Sequence, residues 1–71
     1  MSLRNHNWRE IVKVLTKFSY VLDRQHGSHM IFKNASGNVV PVPRHDPVKP
    51  TTLKSILDQA GISLDEFLDN I

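Results

Sequence analysis

In the run Val39-Val40-Pro41-Val42-Pro43, prolines alternate with valines. Valine suits a pleated strand, but proline has no N–H to place in a ladder, and at two-residue spacing both missing donors fall on the same side of the strand. The segment therefore reads as a strand with one side unpaired, at the edge of a sheet. Its partners have to come from the other side, and the chain supplies them immediately upstream.

Tyr20, Leu22 and Arg24 alternate with Val21, Asp23 and Gln25, and after His26-Gly27-Ser28 the pattern resumes with Met30 and Phe32 against His29, Ile31 and Lys33. Two-residue alternation with β-branched and aromatic members predicts two strands, and the Gly-Ser pair between them predicts a tight turn. Asn34-Ala35-Ser36-Gly37-Asn38 is a second turn cluster, in which Gly37 or Asn38 can take positive φ. Short connections of this kind join antiparallel neighbours.

Helical periods flank the three strands. Trp8, Ile11, Val12, Leu15 and Phe18 share one helix face, predicting a helix over about residues 7–18 with Asn5 or Asn7 as its cap. Trp8 reads as a core anchor of that face. After the two prolines of His45-Asp46-Pro47-Val48-Lys49-Pro50, Thr51 or Thr52 is placed to cap a helix with Leu53, Ile56, Leu57 and Ala60 as its apolar stripe and Gly61 as its stop. Ser63 and Glu66 have capping-box spacing, which predicts a last short helix burying Leu64, Phe67 and Leu68. The expected fold is α+β, in the order α-β-β-β-α-α, with helices on one face of a three-stranded antiparallel sheet. At 71 residues the whole chain, 1–71, is expected to be one domain with one small core.

With helices on one face only, the other face of the sheet is wet. If Met30 and Phe32 point inward, His29 and Lys33 lie on the open face, together with Ile31. Charge is unevenly distributed as well. Residues 1–50 hold eight basic side chains (Arg4, Arg9, Lys13, Lys17, Arg24, Lys33, Arg44, Lys49) against three acidic ones, and all four histidines; residues 51–71 hold Lys54 against four carboxylates. A positive surface of this kind suits a phosphate-bearing partner. No cysteine is present, so disulfides and thiolate metal sites are excluded and a reducing cytoplasm is the compatible location. No stretch has the apolar length of a signal peptide core or a membrane span, so no membrane association is expected.

An imidazole titrating at about pH 6.5 accepts and returns protons under physiological conditions. RNA offers chemistry that uses this without a metal or other cofactor: its 2′-OH attacks the adjacent phosphorus once a base takes the proton, and the 5′-oxygen leaves more easily when an acid protonates it. Charge growing on the phosphate is stabilised by cations or backbone N–H groups. His29 is the candidate base or acid, Lys33 on the same strand face a counter-charge, and Gly27-Ser28 a turn whose backbone a substrate can approach. The second proton-transfer or clamping group is open between His26, Arg24, Arg44 and His45. His26 and His29 have no dependable third partner for a metal.

Residues Tyr20 to Asn34 (YVLDRQHGSHMIFKN) and Val39 to Ser63 (VVPVPRHDPVKPTTLKSILDQAGIS) resemble the HicA (YcfA-like) mRNA interferases, the toxin halves of HicA–HicB toxin–antitoxin pairs. The resemblance spans roughly residues 8 to 68. Its most specific element is Gly27-Ser28-His29 followed by an apolar strand ending in an aromatic, Phe32. The proline-containing third strand, basic loop and Thr-Leu helix start add to it. The resemblance implies a fold like the double-stranded-RNA-binding domain, ribonuclease activity on messenger RNA, His29 as the essential catalytic residue, and neutralisation by a HicB antitoxin that covers the active surface. Where the family commonly has glycine before the aromatic opening the first strand, this chain has Ser19, which predicts strain at the helix exit.

Overall fold

A computed structural model describes residues 5–71; Arg4 and the start of the N-terminal segment lie outside the described residues. The elements are α1 (Trp8–Lys17), β1 (Val21–His26), β2 (His29–Lys33), β3 (Val39–Pro43), α2 (Pro50–Ala60) and α3 (Leu64–Asn70). The strands form one antiparallel sheet in the order β1-β2-β3, so the proline-bearing β3 is an edge strand. This is the expected α+β arrangement.

Local chemistry starts the helices. Asn7 caps α1 in a capping box: its side chain accepts from the Glu10 N–H at 2.8 Å, and the Glu10 carboxylate accepts from the Asn7 N–H at 3.1 Å. Ser63 and Glu66 do the same for α3. Helix α2 departs from expectation, because neither Thr51 nor Thr52 caps it. Lys49 is the N-cap residue, with no side-chain cap bond, and Pro50 opens the helix. The fixed φ of proline suits the first helical position, where its missing N–H costs nothing. Gly61 ends α2 in the left-handed conformation, as the sequence suggests.

The core lies between the helices and one face of β2 and β3. Met30, Phe32, Val40 and Val42 are buried from the sheet; Ile11, Val14, Leu15, Leu53, Ile56, Leu57 and Phe67 are buried from the helices. Strand β1 contributes nothing buried; its inward support is Tyr20, just ahead of it. The Tyr20 hydroxyl donates to the Ala60 carbonyl and accepts from Asn38 Nδ2, which ties the β2–β3 turn to the end of α2.

The simple alternation expected of β1 is broken. A β-bulge falls between Leu22 and Arg24: Leu22 pairs with Phe32, but Arg24 pairs with Ile31 and His26 with His29. Residues directly opposite on antiparallel strands share a face. The extra residue therefore turns Arg24 and His26 onto the open face, whereas unbroken alternation would leave Arg24 on the side of Leu22.

Candidate active site

Strand register orders the open face into three rows. Val21, Lys33 and Val39 form one; Arg24, Ile31 and Pro41 the next; His26, His29 and Pro43 the last. His29 is thus exposed in the corner where the sheet ends, directly after the Gly27-Ser28 turn. Gly27 has φ +60, the left-handed region that the two-residue turn requires, and nothing lies within 4 Å of where a Cβ would sit. The backbone of this turn is open to a ligand. The Arg44 N–H donates to the Ser28 carbonyl at 2.6 Å and fastens the turn to the end of β3.

A groove of about 500 Å³ runs along the β3 edge. His29, Pro41, Pro43 and His45 bound it on the sheet side, and Thr51, Thr52, Ser55 and Gln59 on α2. The sequence already held a signal for the α2 wall, since these four uncharged polar residues recur at helical spacing beside the Leu53–Ile56–Leu57 stripe, whose Ile56 also lines the groove.

The structure separates the other candidate residues. Arg24 is on the open face, its Nε donating to His26 Nε2 at 3.0 Å and its Nη1 to Asp23 at 3.2 Å. Lys33 stands at the far end of β2 from His29, roughly 13 Å away at strand rise. Arg44 is not in the groove; its guanidinium lies 5.1 Å from the Trp8 ring centre, with Arg9 at 4.7 Å. Trp8, expected as a core anchor, packs against the core only in part and also holds these two cations.

One histidine proves structural. His6 is buried, its Nδ1–H donates to Glu10 at 3.1 Å, its ring meets Phe67 edge-on at 5.0 Å, and its backbone pairs with Val48. Among the described residues no three His, Asp or Glu side chains converge as a metal site would require, and no helix is long and apolar enough to cross a membrane.

Comparison with known families gives a match over residues 8–62 to the model described as the HicA toxin of bacterial toxin-antitoxin. The chain belongs to the HicA toxin family. Membership implies a cognate antitoxin as partner, and the matched span takes in all three strands, the groove and all of α2. α3 lies beyond the HicA match. A search of curated proteins finds none that matches.

Proposed function

We propose that this HicA-family toxin is a metal-independent endoribonuclease that cleaves mRNA through His29. The observation that carries the reading is the position of His29: exposed, lining the groove between β3 and α2, beside an open glycine turn. An imidazole there can take the 2′-OH proton or protonate the 5′-oxygen, and neither step calls for a metal. Turn amides and the cations Arg24 and Lys33 on the same face would offset phosphate charge. Arg44 contributes by holding the turn through its backbone, with its charge on Trp8 facing a different part of the substrate. A HicB-type antitoxin would neutralise the toxin by covering this face.

Purified protein should cut RNA in the presence of EDTA and leave DNA of the same sequence intact, because DNA lacks the attacking hydroxyl. His29→Ala should lower cleavage by about 10²–10⁴-fold with melting unchanged, as expected for loss of a proton-transfer group on an exposed position. Undiminished cleavage by that variant removes His29 from the mechanism. The other reading, a non-catalytic module for double-stranded RNA, calls for a lysine cluster at the start of α2. Only Lys49 and Lys54 are there, and Lys54 faces Asp58 at 3.5 Å.

A further inference from the structure

We infer that His45 is the second proton-transfer group, working in the same groove as His29; the inference rests on the ribonuclease reading above. In-line displacement at phosphorus has its incoming and departing oxygens on opposite sides, so one imidazole next to the ribose leaves the other end of the reaction unattended. Four residues compete for that place. Arg24 and Arg44 carry guanidinium groups, which suit clamping a phosphate rather than proton transfer, and Arg44 is also committed to Trp8. His26 is beside His29 on the sheet, but its Nε2 already accepts from Arg24 and it does not line the groove.

His45 does line it. It follows Pro43, the cross-strand partner of His29, by two residues, and His29, Pro43 and His45 line the same groove. The hydrogen-bonded histidine rings are those of His6 and His26; among the described residues the rings of His29 and His45 are free for a ligand. The backbone that carries His45 is also held from both sides. Arg44 is bound to Ser28 through its N–H and lies over Trp8, Asp46 accepts from the Trp8 N–H at 3.0 Å, and Val48 pairs with His6. A side chain in a segment tied at three points keeps its place when a substrate arrives.

The reaction then balances without a co-reactant. One neutral imidazole takes the 2′-OH proton as the O2′–P bond forms, while the other, as imidazolium, gives a proton to O5′ as the P–O5′ bond breaks. The products are a 2′,3′-cyclic phosphate end and a 5′-hydroxyl end, and exchange with solvent restores the two imidazoles. Hydroxyls of Thr51, Thr52 and Ser55 on the facing wall are placed to donate to the non-bridging oxygens.

The test uses an unstructured RNA oligonucleotide whose cut site has been mapped with the wild-type chain, and the same oligonucleotide with sulfur replacing O5′ at that site. A thiolate departs without being protonated, so the sulfur substrate bypasses the acid and still needs the base. His45→Ala and His45→Gln should each lose about 10²–10⁴-fold on the oxygen substrate, as His29→Ala does. On the sulfur substrate one of the two positions, and only one, should regain cleavage, which names the acid. If His45 variants cut the oxygen substrate like wild type while His29→Ala does not, the inference fails and the ribonuclease reading stands. If both positions matter but sulfur rescues neither, His45 is a binding residue and the inference also fails. No cleavage by wild type overturns the ribonuclease reading itself.

Discussion

Ser19 shows how much a single residue can be made to bear. It follows α1 with φ 69, in the left-handed region, and its N–H returns to the Thr16 carbonyl while the Tyr20 N–H reaches Leu15. Those bonds require the turn, and a side chain makes the turn costly. The strain expected from serine at this point is thus present in the backbone, and it sits next to Tyr20, the residue that anchors the sheet to α2. Ser19→Gly should stabilise the chain by about 0.5–1 kcal/mol, the relief at positive φ outweighing the added freedom of the unfolded chain. In a domain this small that is a rise in Tm of roughly 2–8 °C. A thermal melt that falls would mean that the strain at Ser19 is smaller than the entropy glycine adds to the unfolded chain. Gly27 is the converse case. Its Cβ would meet no atom, so Gly27→Ala tests conformation alone and should cost about 1 kcal/mol through the positive φ, read as a lower urea midpoint.

Among the elements, the strands were legible where one face is buried and ambiguous where it is not. β2 reads correctly because Met30 and Phe32 must go inside, and that decides where His29 and Lys33 point. β1 is exposed along its whole length, so nothing in its composition reports that one residue has been inserted. Its bulge is what puts Arg24 and His26 beside the site. Likewise the start of α2 was misplaced because threonine is a common cap, and Pro50 is a better first residue than threonine is a cap here. Long-range placement was the least legible. That His45 shares a groove with His29 depends on the chain folding back onto α1, through contacts of Asp46 and Val48 that no local period encodes.

The bulge also makes an element-scale prediction. Deleting Asp23 removes the extra residue and leaves Leu22 opposite Phe32 and Arg24 opposite Ile31, so the ladder becomes regular with the same faces. Only an exposed ion pair to Arg24 is lost, and such pairs contribute little. The deletion should keep the fold and RNA cleavage to within about tenfold, since His26, His29 and the Gly27 turn keep their register. Deleting Gln25 instead, with the two-residue turn still holding His26 opposite His29, puts Arg24 opposite Met30 on the inner side and Asp23 on the open face, and the two deletions can be separated by melting and by cleavage of the same RNA.

For the whole molecule, the question is what holds the groove open, since its two walls come from different elements. One wall is the end of the sheet and the other is α2, which packs on β3 and is backed by α3. Phe67 of α3 is fully buried and meets the His6 ring edge-on, and His6 in turn is bonded to Glu10 and paired with Val48, two residues before α2 begins. A residue outside the family match therefore supports the segment that carries His45. Phe67→Ala should cost about 3–5 kcal/mol, from lost transfer energy and the cavity left behind. A chain of this length has only roughly 4–11 kcal/mol of stability in total. The variant should therefore unfold at a much lower urea concentration, and at 37 °C it should lose cleavage together with its folded fraction. Phe67→Leu, which keeps most of the volume, should restore most of both. If Phe67→Ala melts like wild type, α3 is an appendage and the groove stands without it; if it stays folded but cleavage falls, support from α3 reaches the site through His6 and Val48 rather than through global stability.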